Sequence, residues 1–186
     1  FPAAILQKPF FSDDYPDSLN YGGIGVVIGH EITHGFDDQG RKFDKDGNLN
    51  NWYEEKDIIT FNKITDKLKK QFSNYYILGQ AINGELTLGE NIADLGGVCI
   101  SMNSLKNITN DDQLKTVLQE FFYNYARVWR INAREEELKR RLQTDPHSPG
   151  EWRVNGILTN IDEFYSVFEI KDGDIYKNIN DRVAIW

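Results

Sequence analysis

Residues 26–38 read Val26-Val27-Ile28-Gly29-His30-Glu31-Ile32-Thr33-His34-Gly35-Phe36-Asp37-Asp38. Ile24, Val27, Ile28 and Ile32 recur at helical spacing, so a helix is expected from Leu19 or Asn20 toward Phe36. On it, His30 and His34 project from one face about one turn apart, close enough to hold one tetrahedral zinc ion. Glu31, beside the first histidine, can face a water activated by that metal and take its proton. The pattern is H-E-x-x-H, whose chemistry is metal-assisted peptide hydrolysis. A chance match on an ordinary amphipathic helix is the competing reading, and against it two of the chain's three histidines stand here. Gly22, Gly23, Gly25 and Gly29 lower helix propensity by roughly 1 kcal/mol each relative to alanine. Close packing against a neighbouring backbone is expected to offset that cost.

A catalytic zinc takes three protein ligands and keeps one position open, so a third donor has to come from elsewhere. Gly89-Glu90-Asn91-Ile92-Ala93-Asp94-Leu95-Gly96-Gly97 places Glu90 and Asp94 one turn apart, on a helix expected from about Gly89 to Leu105. Glu90 could be that donor, and Asp94 could accept the outer N–H of a ligand histidine, fixing its tautomer. A glutamate near a helix N-terminus also complements the helix dipole without any metal; beside H-E-x-x-H, ligation is the favoured reading. The third histidine lies in Asp145-Pro146-His147-Ser148-Pro149-Gly150-Glu151-Trp152-Arg153. His147 suits a donor to the oxyanion of a tetrahedral intermediate. Arg153, with its planar donor fork, suits a substrate carbonyl or carboxylate. A turn histidine and a solvated arginine are the structural alternatives.

The rest of the chain reads as one mostly helical domain, residues 1–186. Its length and 40% hydrophobic content suffice for a core. Its 21 basic and 29 acidic residues give a net charge of −8, which disfavours nucleic acid and anionic membrane as partners and leaves peptides or small molecules. Cys99 is the only cysteine, so there is no intrachain disulfide, and a reducing compartment is expected. No apolar run approaches the ~20 residues that span a bilayer. The apolar opening Phe1-Pro2-Ala3-Ala4-Ile5-Leu6 reads as a cut through a longer protein. Further helices are expected over about 54–76, 112–129, 133–143 and 154–168, with a loop at 37–51 and a turn at Asn83-Gly84. Residues 145–150 hold two prolines and a glycine and cannot be helical throughout.

Residues 26–38, Glu90-Asn91-Ile92-Ala93-Asp94 and residues 145–156 together closely resemble the catalytic region of the neprilysin family of zinc endopeptidases, which are gluzincins. Phe1-Pro2-Ala3-Ala4-Ile5-Leu6-Gln7 and Arg182-Val183-Ala184-Ile185-Trp186 resemble the same family, so the likeness runs nearly end to end. The resemblance implies one zinc ion per chain, held by His30, His34 and Glu90, with Glu31 as general base and proton shuttle. It implies Asp94 as the residue that orients a ligand histidine and His147, held by Asp145, as the transition-state stabiliser. Arg153 would grip the substrate backbone. Ile5, Phe10, Val26, Val27, Val128 and Trp129, otherwise plain core positions, would form an apolar pocket for the residue after the cleaved bond.

The fold so implied is the C-terminal, mainly α part of a thermolysin-like zincin catalytic domain, with little β-sheet. A sheet edge and a helical roof domain would lie in the missing N-terminal part of the same protein. The implied activity is hydrolysis of oligopeptides on the amino side of hydrophobic residues, and the fragment alone is expected to bind zinc yet turn over poorly. Secreted animal members carry a cysteine where Val183 stands, so a bacterial, cytoplasmic oligopeptidase is expected. The alternative class is a non-catalytic zinc-binding scaffold or peptide-binding module. Such structural sites take four protein ligands, and the sequence offers three.

Overall fold

The helix carrying His30 and Glu31 is built in three pieces. In the computed structural model, which describes residues 1–173 and 175–186, α1 (Asp17–Asn20) passes through a π-helical turn (Tyr21–Gly25) into α2 (Val26–Thr33). It begins before the expected Leu19 because Pro16 (φ −63°, ψ 158°) sets the chain just ahead of the first turn and Asp17 complements the helix dipole there. It also stops short of Phe36. His34 keeps helical angles (φ −57°, ψ −26°) as the closing residue, so the one-turn spacing of the two histidines survives. Beyond it the chain folds back until Gly40 lies against the His34 carbonyl, an approach that leaves no room for a Cβ.

Along the chain follow α3 (Glu55–Ser73), β1 (Tyr76–Ile77), β2 (Gln80–Ala81), α4 (Leu88–Ile108), α5 (Leu114–Val128), α6 (Glu135–Thr144), α7 (Gly150–Leu158) and α8 (Asp162–Phe168). The chain is mainly helical, and β1 and β2 form the one sheet among the described residues. Helix α3 starts on a capping box, in which the Glu54 and Asp57 side chains each accept the other's backbone N–H. It ends at Ser73, short of the expected Tyr76, because Tyr76 and Ile77 pair with Ala81 and Gln80 across a two-residue turn. Both turn residues have positive φ (Leu78 52°, Gly79 75°), as a tight hairpin turn requires.

Helix α4 sits at the centre, against α2, α3, α5 and α7. Ile92, Ala93 and Val98 are wholly buried, and so are Leu68 and Phe72 of α3, Phe121 and Tyr125 of α5 and Ile157 of α7. Helices α2 and α4 also approach backbone to backbone. A Cβ on Gly97 would lie 2.6 Å from the Val26 carbonyl oxygen and 2.7 Å from the His30 nitrogen, and one on Gly29 would lie 2.9 Å from the Gly97 Cα. Glycine at these two positions therefore lets the helix bearing the histidines touch, backbone to backbone, the helix bearing Glu90 and Asp94.

The helix expected over 154–168 is two helices, broken at Thr159–Ile161. The Asn160 side chain is used there to tie down the C-terminal segment, its Oδ1 accepting from Val183 N (2.9 Å) and Lys177 Nζ (2.7 Å). Lys177 Nζ also donates to Gln71 Oε1 (2.8 Å), so its hydrogen-bond partners among the described residues are neutral acceptors, and burial pushes its pKa down to about 8. Below that pH the folded chain holds a charged, partly buried amine. As pH rises from about 8 toward the ordinary lysine value of ~10.5, the folded state releases this proton before the unfolded state does, so stability rises. The expected result is a higher urea midpoint at about pH 9.5 than at about pH 7, with the rise reduced in Lys177→Met. Equal pH responses in the two proteins would refute it.

Candidate active site

Helices α2 and α4 bring three donor atoms together. His30, 6% exposed, gives its Nδ1–H to Asp94 Oδ1 at 2.8 Å, and His34 gives its Nδ1–H to Asp37 Oδ2 at 2.7 Å. With both Nδ1 protons committed to carboxylates, each neutral imidazole turns a bare Nε2 lone pair inward. The two Nε2 atoms are 3.1 Å apart, and Glu90 Oε2 lies 3.1 Å from the first and 3.6 Å from the second. Glu90 Oε2 is buried and has no well-aligned hydrogen bond. Three lone-pair atoms this close repel one another unless a cation lies between them. Around zinc, with bonds of ~2.0–2.1 Å, the edges of a tetrahedron are ~3.3 Å, which the observed separations bracket. The residues fit the metal.

The electrostatics make the same demand for positive charge. Burial alone would lower the His30 pKa, but Asp94 and Glu90 outweigh it and raise it to about 9. Without metal, a proton thus fills the role that the donor set would otherwise give to a cation. Burial would raise the Glu90 pKa, yet the His147 and His30 imidazoles hold this carboxyl well below its usual range.

Asp94, 1% exposed, is the hub behind the donors. Besides His30 it takes a two-pronged ion pair from Arg153, Nη2 to Oδ1 at 2.6 Å and Nε to Oδ2 at 2.8 Å. Burial opposes its ionisation, and Arg153 with His30 overcomes that and keeps its pKa low. The Arg153 guanidinium stacks over the Trp129 ring at 3.7 Å. Two of its nitrogens are thus committed within the chain, and Nη1 has no hydrogen-bond partner among the described residues. His147 enters from the loop between α6 and α7. Its Nδ1–H and its backbone N–H both go to Asp145 Oδ1 (2.8 and 2.9 Å), while its Nε2 lies 3.1 Å from Glu90 Oε2, which raises the His147 pKa.

A cavity of about 200 Å³ opens beside these groups. Ile5, Phe10, Val26, Val27, Val128 and Trp129 line it, together with His30, Glu31, Asp94, His147 and Arg153. The residues expected from the sequence therefore converge on one place, with His34 and Glu90 completing the donor set and Asp145 behind His147. Two neighbours escaped the sequence reading. Asp37, 5% exposed, fixes His34, and its Oδ1 is itself held by the N–H groups of Gln39 (2.8 Å) and Gly40 (2.7 Å). Its position three residues after His34 was the available signal. Tyr125, wholly buried, lines the cavity and donates to the Arg153 carbonyl at 2.7 Å; its periodicity marks it only as core.

Two histidines one turn apart, a glutamate beside them and a carboxylate from a second helix define a metalloprotease-type donor set on a helical scaffold. Residues 1–183 match the model for Peptidase family M13, and the chain belongs to that family. It is 43% identical to Neprilysin-3 of Drosophila melanogaster over 100% of this chain and 25% of that protein. It is 41% identical to the Neutral endopeptidase of Lactobacillus helveticus over 100% of this chain and 28% of that one. Among solved structures, the inhibitor complex of the Mycobacterium tuberculosis zinc metalloprotease ZMP1 superposes with a TM-score of 0.93 at 42% identity, covering 100% of this chain and 30% of that one. The chain spans about a quarter of the length of the curated relatives it matches.

Proposed function

We propose that this chain carries the catalytic centre of a zinc-dependent endopeptidase that cuts oligopeptides on the amino side of hydrophobic residues, acting within a polypeptide of the relatives' length. The observation that carries the reading is the convergence of His30 Nε2, His34 Nε2 and Glu90 Oε2 beside an apolar cavity that Glu31 also lines. His30, His34 and Glu90 would hold the zinc, which when bound polarises the scissile carbonyl and acidifies water. Glu31 takes a proton from the attacking water and passes it to the leaving amine. His147, oriented by Asp145, donates to the oxygen on which negative charge builds. Arg153, through its uncommitted Nη1, binds a substrate carbonyl, and Asp94 keeps both Arg153 and His30 in place. The aliphatic and aromatic lining from Ile5 to Trp129 receives the side chain that follows the cleaved bond and excludes water around it.

The scaffold alternative requires a fourth protein ligand, and the donor cluster among the described residues has three. A bacterial cytoplasmic setting belongs to the same proposal, supported by Cys99 being the only cysteine. The deciding experiment treats the full-length protein with a chelator and then adds zinc. Hydrolysis of peptides with a hydrophobic residue after the scissile bond is expected to vanish and return. Chelation that unfolds the protein without any prior hydrolytic activity would establish the scaffold instead.

A further inference from the structure

Asn91 follows Glu90 in α4, and Ser148 follows His147 in the loop before α7. The Ser148 hydroxyl donates to Asn91 Oδ1 at 2.8 Å, with both side chains buried (4% and 0% exposed). Asn91 Nδ2 in turn donates to Thr87 Oγ1 at 3.0 Å, and the Thr87 hydroxyl donates to the Asn83 carbonyl at 3.1 Å. The Asn91 amide is thus oriented from both ends, with its oxygen turned toward the His147 loop. This buried bond lies one residue beyond each of two groups that face each other at 3.1 Å, Glu90 Oε2 and His147 Nε2.

We propose that Asn91 and Ser148 are positioning residues, a clamp that sets the distance of His147 from the Glu90 end of the site. The inference rests on the role given above to His147. Asp145 fixes the orientation of the His147 ring within its own loop, but Asp145 and His147 belong to the same segment and move together. The Ser148–Asn91 bond instead ties that segment to α4, the helix that carries Glu90. Its burial makes it costly to break, because either partner left alone is a buried polar group without its mate. A displacement of His147 by about 1 Å costs on the order of 100-fold in rate, since a donor to developing charge acts over hydrogen-bond distances.

The test uses Ser148→Ala, a small change that removes the hydroxyl, in the full-length protein. Turnover is expected to fall on the order of 10- to 100-fold, mainly in kcat, with zinc content unchanged. Placed in a His147→Ala background, Ser148→Ala is expected to cost nothing further, because its effect passes through His147. An equal loss in both backgrounds means a general structural role and overturns the proposal. If His147→Ala alone leaves turnover intact, the function assigned to His147 fails instead. A readout independent of activity then tests the clamp itself, namely the crystal structure of Ser148→Ala. His147 Nε2 is expected to move out of hydrogen-bond distance from Glu90, and an unmoved His147 overturns the clamp.

Discussion

In the full-length protein, replacing Glu31 by glutamine is expected to lower kcat/KM for peptide hydrolysis by about 10³-fold or more while zinc content and folding stay as they were. Glutamine nearly matches glutamate in size and still lines the cavity, but its amide cannot take a proton from water. The substitution therefore removes the base and leaves the donor set alone, because His30, His34 and Glu90 supply the atoms that converge. Glu31 is exposed on the cavity wall and has no hydrogen bond or ion pair among the described residues, so its loss leaves no buried partner stranded. Metal analysis and thermal unfolding alongside steady-state kinetics check the result. Turnover within a few-fold of wild type would remove Glu31 from the mechanism and with it the proposed chemistry.

The opposite kind of defect is expected for Asp94→Ala. Asp94 accepts from His30 and from two nitrogens of Arg153 while being almost wholly buried. Without it, the Arg153 guanidinium keeps its charge, packed on Trp129 at 7% exposure without the carboxylate that pairs with it. Breaking a buried pair from one side costs about 3–5 kcal/mol. The Nδ1–H of His30 also loses its acceptor, so the ring is free to rotate or to move its proton to Nε2, the nitrogen that faces the donor set. Loss of such an outer partner typically costs 10- to 100-fold in metal affinity. Urea unfolding and calorimetric zinc titration measure the two effects separately. If metal affinity is unchanged in a variant that still folds, Asp94 serves only as the mate of Arg153.

Together the two variants separate what the site does from what holds it. Glu31 stands in the open, on the helix face that meets the cavity, where its removal is expected to have a chemical cost and little structural one. Asp94 stands behind, where one carboxylate serves a donor histidine and an arginine of the cavity wall at once. That arrangement depends on α2 and α4 touching through Gly29 and Gly97. A bulkier residue at Gly97 would push His30 away from both Asp94 and Glu90.

Much of the site was legible in the chain. The four-residue interval of His30 and His34 survives even though α2 ends at Thr33, because His34 retains helical angles. Glu90 and Asp94 share a face of α4 as their spacing requires, and α3 buries Phe61, Leu68 and Phe72 at the expected intervals. The misreadings are equally local. Helical periodicity ran on through Tyr76 because side-chain spacing does not register the positive φ of Leu78 and Gly79. It ran unbroken across Asn160 because a side chain tying down a segment more than twenty residues away leaves no periodic trace.

What the sequence determined by itself was the identity of the chemical groups and which of them share a helix turn, because a helix converts an interval of four into a common face. Its resemblance to a family extended this to a full set of site residues. Only the tertiary structure decided the 3.1 and 3.6 Å separations of the two histidines from Glu90 of α4 and the double use of Asp94. Likewise only the fold joined Ser148 to Asn91. These depend on how closely two helices approach and which way buried side chains turn. Both are set by packing among residues far apart in the chain, which no local interval encodes.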